Sequence, residues 1–267
     1  MFRNTLTFLI LLFCVSPLLA EAPKKLLLVG QGPDGHPPQT HEYAAAMNIL
    51  EKCLKPVAGI EITLVKADGA WKEGPELIAR TDAVVFFVSE GAAWLQLDPK
   101  RFEALQAMAK RGGGIVVIHW GMGCKEAKYI EPFVNLVGGC HGGPDRKFQV
   151  VETDLTPAAD KHPILTGIGP MKHKEEFYYQ LKFAKEAKGL QPLLQATIED
   201  KKETVCWAWD RPDGGRSFGF SGLHFHENWK KQEYRRLIAQ AVLWTLKLPV
   251  PEKGLAVEVA EGDLQVK

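Results

Sequence analysis

Five of the eight histidines follow or close apolar runs that read as strands. His36 and His41 follow residues 25–30, His119 follows 115–118, and His224 and His226 close the run 217–225. Imidazole titrates near neutral pH and is the commonest neutral metal ligand, so such a gathering predicts proton transfer or a divalent ion such as Zn²⁺. His119 is the sharpest case. It leaves an apolar strand for a tight turn, Trp120-Gly121-Met122-Gly123, with a helix beyond, the geometry that projects a reacting side chain. The plainer alternative is a histidine that bonds loop backbone. His224 and His226 flank Phe225, and residues i and i+2 of a strand share a face, so both rings reach one site if the strand stays regular. Otherwise one packs under Trp229 while the other is solvated. His41 falls in a first helical turn, where anions are favoured; His36 is either a site residue or a solvated loop residue. No HExxH occurs, so a metal trio of His119, His224 and His41, with Glu176 as the other candidate ligand, rests on convergence rather than spacing.

The best carboxylates lie in Glu175-Glu176-Phe177-Tyr178-Tyr179. Glu176 is a candidate base, with Tyr178 and Trp120 to pack on a substrate; the competing reading is an ordinary amphipathic edge strand. The catalytic candidates are thus His119, Glu176 and His224, and the substrate-binding candidates are Trp120, Tyr178, His36, His226 and Trp229. The loop Gly138-Gly139-Cys140-His141-Gly142-Gly143 lacks a following GK[ST], so no nucleotide cofactor is expected.

The elements that must position these groups alternate strand and helix. Residues 25–30, 83–88 and 115–118 are apolar runs with little alternation, as expected of strands covered on both faces, and 61–65 reads as a further strand. Between them Tyr43, Met47, Leu50 and Leu54 recur at helical spacing, as do Phe102, Leu105 and Met108. The middle, residues 148–196, reads as mixed short strands and loops. Residues 205–209 and 217–225 read as strands joined at Pro212-Asp213-Gly214-Gly215, and a last helix carries Tyr234, Leu237, Ala241 and Trp244 before Pro249. The expected fold is α/β, flavodoxin-like, with a mostly parallel sheet and helices on both faces. Ligands of such sheets bind beyond the carboxyl ends of the strands, where the histidines are.

The 267 residues carry a formal net charge of +1, which offers no electrostatic case for nucleic acid. Arg3, an apolar run over residues 6–15 and small residues at Ala20 and Ala22 predict a secretory signal removed at residue 20 or 22. The expectation is an exported, periplasmic or extracellular protein with no stable membrane insertion. Its domain spans residues 23–251, with a tail at 252–267. Cys53, Cys124, Cys140 and Cys206 show no CxxC spacing and read as buried thiols; Cys124 with Cys140 is the favoured pair if one forms.

Together the segments Gly113-Gly114-Ile115-Val116-Val117-Ile118-His119, Val137-Gly138-Gly139, His162-Pro163-Ile164, Glu175 to Tyr179, Pro212 to Arg216 and Gly222-Leu223-His224 resemble the ThuA-like family, named for trehalose utilisation, within the class I glutamine amidotransferase-like superfold. The resemblance runs from about Lys25 to Pro251. Glutamine-hydrolysing relatives place a cysteine nucleophile where this chain has His119, and Cys124 lies beyond the turn, so the resemblance implies no glutaminase. It implies a small-molecule carbohydrate partner, a keto-sugar or oxidised disaccharide. The activity it implies is metal- or histidine-assisted elimination, hydrolysis or isomerisation. The other function carried is a non-catalytic sugar- or partner-binding domain on the same fold.

Overall fold

A computed structural model describes residues 22–266 apart from Asp160. The expected signal segment lies outside the described residues, except for Ala22. No helix among the described residues is long and apolar enough to cross a membrane.

The chain opens with strand β1 (Lys24–Gly30), helix α1 (Tyr43–Leu54), β2 (Ile60–Lys66), α2 (Gly74–Ala79) and β3 (Ala83–Phe86). Helices α3 (Gly91–Leu97) and α4 (Pro99–Lys110) lead to β4 (Gly114–Ile118). Then come β5 (Gly123–Cys124), α5 (Ile130–Val137), β6 (Gly139–Gly142), β7 (Lys147–Pro157), β8 (Met171–Tyr179) and β9 (Lys182–Phe183). The last elements are β10 (Leu190–Ile198), β11 (Lys201–Asp210), β12 (Arg216–Phe220) and α6 (Gln232–Thr245).

Local chemistry explains several boundaries. The Asp98 carboxylate accepts from Lys100 N at 3.0 Å and Pro99 opens α4, a cap followed by a residue that lacks the donor a first turn wastes. Gly138, at φ +100°, closes α5 in a conformation open to glycine.

Nine strands form one sheet in the order β2-β1-β3-β4-β12-β11-β10-β7-β8. The five from β2 to β12 are parallel. Every pairing from β12 to β8 is antiparallel. The sheet is therefore mixed, not mostly parallel as its first strands suggest. Three short strands, β5-β6-β9, make a second sheet.

Helices cover both faces of the parallel half. Leu26 and Leu28 of β1 join the core under α1 and α6, while Leu27 and Val29 join the core under α2 to α5. Period-two alternation across a strand buried on both sides produces these two cores. The final residues are part of the first core: Val257 is fully buried, and Arg235 and Arg236 of α6 bond Val257 O and Leu255 O at 3.0 and 2.9 Å. The expected tail is thus strapped to the domain.

Candidate functional site

His119 leaves β4 at φ +47°, a left-handed backbone that a non-glycine residue holds only where its surroundings compel it. The turn it begins, His119–Met122, fits because Gly121 brings backbone against the end of β3; a Cβ there would stand 2.5 Å from Phe86 O. The ring is completely buried. Its Nδ1 donates to Ser221 O at 2.7 Å, which assigns the proton to Nδ1 and leaves Nε2 with a lone pair.

His41 also has positive φ, +52°, and sits two residues before α1 rather than in its first turn. Its Nδ1 donates to Asp34 Oδ2 at 2.9 Å, and the Tyr43 hydroxyl donates to the same oxygen at 2.6 Å. His41 Nε2 therefore also carries a lone pair. It stands 3.0 Å from His119 Nε2. Backbone bonds bring His224 to them: His41 N donates to His224 O at 3.1 Å and His226 N to Gln39 O at 2.8 Å, with a bridge between Thr40 and Phe225. His224 Nδ1 comes within 3.2 Å of His119 Nε2.

Glu175 and Glu176 point to opposite faces of β8, as period two requires. Glu175 is buried and gathers N–H donors from Leu223 at 2.8 Å, His224 at 3.1 Å and Glu176 at 2.8 Å, with Asn228 Nδ2 at 2.9 Å. It clamps the loop that presents His224. Glu176 faces the histidines, with Oε1 3.4 Å from His224 Nδ1 and 3.8 Å from His119 Nε2. Tyr178, on the same face, donates its hydroxyl to His119 Nε2 at 2.9 Å and stacks on that ring.

Burial sets the protonation states. It pushes His119 well below the ordinary histidine range and His224 down to about 3; it also lowers His41, although Asp34 pulls the other way. Burial would raise Asp34, but hydrogen bonds from His41, Tyr43 and His36 outweigh it and hold the carboxyl below its usual range. Burial pushes Glu176 up to about 7, and Glu175 to about 7 against the pull of its donors.

The cluster opens into a cavity of about 350 Å³ whose lining includes His36, Trp120, Glu176, Tyr178 and His224. His36 packs on His41 with ring centres 3.8 Å apart. Sequence reasoning did not single out Asp34, His141, Lys125, Arg146 or Phe148. All but Asp34 line the cavity, and Asp34 holds His41 from behind. The signal for Asp34 was its place in the same loop as His36 and His41.

Two expected site residues lie elsewhere. The strand expected over 217–225 ends at Phe220, so His224 and His226 do not share a strand face. His226 begins a short 3-10 helix and its Nε2 lies 3.1 Å from Leu264 O, while Trp229 is fully buried in the first core. Cys124 is buried with its sulfur 3.9 Å from that of Cys140, and both are free thiols. Neither offers the cavity a nucleophile.

A metal ion suits this donor set. Both Nδ1 protons of His41 and His119 are committed to oxygen, so two lone pairs face each other at 3.0 Å. The Tyr178 hydroxyl can satisfy only one of them. Burial disfavours an imidazolium in their place. Two nitrogens on a tetrahedral ion at about 2.0–2.1 Å stand about 3.3 Å apart, close to the spacings here. His41, His119 and His224 all present donor atoms within 4.8 Å of one another. The Asp34–His41 contact is the carboxylate–histidine pair that orients metal ligands.

The profile of the ThuA family, described as trehalose utilisation, matches residues 28–245. A protein from Bacteroides uniformis ATCC 8492 described as ThuA-like superposes with a TM-score of 0.63 at 16% identity, over 85% of this chain and 93% of its own. One from Parabacteroides merdae ATCC 43184, also described as ThuA-like, superposes with a TM-score of 0.63 at 14% identity, over 91% and 99%. These identities speak to fold alone. No curated protein matches the chain significantly.

Proposed function

The chain belongs to the ThuA family, and from that premise we propose that it processes a keto-sugar or oxidised disaccharide at a divalent metal held by His41, His119 and His224. The observation that carries the reading is the pair of lone-pair nitrogens, His41 Nε2 and His119 Nε2, 3.0 Å apart with both Nδ1 protons engaged. A bound ion would supply Lewis acidity to a carbonyl oxygen.

This chain's own residues supply the rest. Glu176, held near a pKa of about 7 by burial, is matched to take a proton at neutral pH. In a 3-keto glycoside the hydrogen beside the carbonyl is acidified. Glu176 removes it, the C–H electrons form an enolate, and the enolate expels the glycosidic oxygen from the neighbouring carbon. The proton then passes from Glu176 to the departing alcohol. Trp120 gives the cavity an aromatic surface against which a sugar ring packs, and Tyr178 lines the wall beside it. We place this chemistry outside the cytoplasm, from the signal-like N-terminus.

The test is turnover of a 3-keto-disaccharide by the full chain, with and without a strong chelator, followed by zinc add-back. The proposal requires activity that chelation abolishes, zinc restores and Glu176→Gln lowers at least a hundredfold. Binding of the sugar without turnover would reject it and leave a sugar-binding protein.

A further inference from the structure

The cavity has two chemically different ends, and Tyr178 divides them. One face of its ring stacks on His119 at 4.2 Å and the other on His141 at 3.8 Å. Beyond it Trp120 meets His141 edge-on at 5.7 Å, and the Arg146 guanidinium lies 6.0 Å from the Trp120 ring centre. The acid of the lining, Glu176, belongs to the histidine end. The cations Lys125 and Arg146 belong to the lining as well.

These two cations differ. Lys125 is bridged to Glu90 at 2.6 Å. Among the described residues no carboxylate pairs with Arg146, whose hydrogen bond runs from Nη1 to Gly143 O at 3.1 Å. Most of its planar fork of donors is thus uncommitted, on a half-buried side chain beside an indole. Such a fork matches an oxyanion in two bonds at once, and charge-assisted bonds are about twice as strong as neutral ones. His141 registers the same field: burial, then Arg146 and Lys182, hold its imidazole down to about 3. A site for an uncharged sugar needs no unpaired guanidinium in its wall.

We propose that the Arg146 end of the cavity binds the oxyanion substituent, carboxylate or phosphate, of an acidic sugar. This rests on reading the cavity as a sugar site. Trp120 would carry the ring, with the charged group at Arg146 and the reacting carbons toward His119.

Isothermal titration of the zinc-loaded full chain with glucuronate, glucose 6-phosphate and glucose tests this. At least one acidic sugar should bind tenfold or more tighter than glucose, and which one does so identifies carboxylate or phosphate. In Arg146→Gln that preference should fall below threefold while zinc stoichiometry is unchanged. In Lys52→Gln, the same charge change on α1, it should persist. Equal affinity for all three sugars, no binding of any, retention of the preference in Arg146→Gln, or its loss in Lys52→Gln would each overturn the proposal. Zinc stoichiometry, measured on the same samples, reports separately on the three-histidine centre.

Discussion

Asp34→Asn is the substitution that probes the histidine centre without touching a ligand. Asp34 Oδ2 accepts from His41 Nδ1 at 2.9 Å, and so holds His41 in the tautomer whose Nε2 lone pair faces His119. Asparagine is the same size; its carbonyl oxygen keeps the place of Oδ1, which accepts from the His36 backbone N–H at 3.2 Å, so its Nδ2 takes the place of Oδ2, where the Tyr43 hydroxyl can turn to accept. The amide would turn the His41 Nδ1 into an acceptor and move the ring proton to Nε2. That N–H would then point at His119 Nε2, 3.0 Å away, and bond to it. One substitution would thus remove two lone pairs from the centre. Loss of an oriented partner of this kind costs 10- to 100-fold in metal affinity, about 1.4–2.7 kcal/mol. The assay is zinc competition against a chromophoric chelator at pH 7.5, on wild type and variant of equal thermal stability. An affinity within threefold of wild type would refute the reasoning, because it would mean the His41 tautomer does not matter to the ion.

Three other outcomes follow from the same geometry. Glu175→Ala should lower folding stability by about 3 kcal/mol or more in urea titration, since several buried N–H donors lose their acceptor at about 1–3 kcal/mol each; Glu175→Gln should recover part of it, because the amide oxygen still accepts. Gly91→Ala should destabilise the chain in the same titration, because a Cβ there would collide with Gly121 O in the turn that carries His119, and both partners are backbone. His162 accepts from Ile164 N at 3.2 Å and is lowered to about 4 by burial. The unfolded chain protonates it first, so its stability contribution is present above pH 6.5 and is lost as pH falls through 4. By pH 5 the part already lost is about 2 kcal/mol for a shielded ring and about half for this part-exposed one, and His162→Asn should flatten the acid limb by that amount.

Much of the site is legible because strand ends and strand alternation are local. The apolar run of β4 announces where His119 emerges, and the sequence Glu175 to Tyr179 read with period two separates the clamp from the cavity wall. What is not legible depends on partners far along the chain. The split of His224 from His226 follows from Glu175 and Gln39 capturing the loop after Phe220, contacts 48 or more residues distant that no local pattern announces. Asp34 reads as a turn residue until His41 and Tyr43 fold onto it. Arg146 is one charge among many in the sequence until the fold brings it beside Trp120 in the cavity lining. The antiparallel half of the sheet was hidden for a related reason: β7 is largely exposed along its first residues, so burial wrote no apolar run there.

The central claim is a single metal centre built from three histidines. The most direct measurement is a crystal structure of the full chain soaked in zinc, with anomalous data collected above and below the zinc edge. The account predicts one anomalous peak about 2.0–2.1 Å from His41 Nε2, His119 Nε2 and His224 Nδ1. Rings in the present arrangement with no peak between them, at saturating zinc and neutral pH, would contradict it.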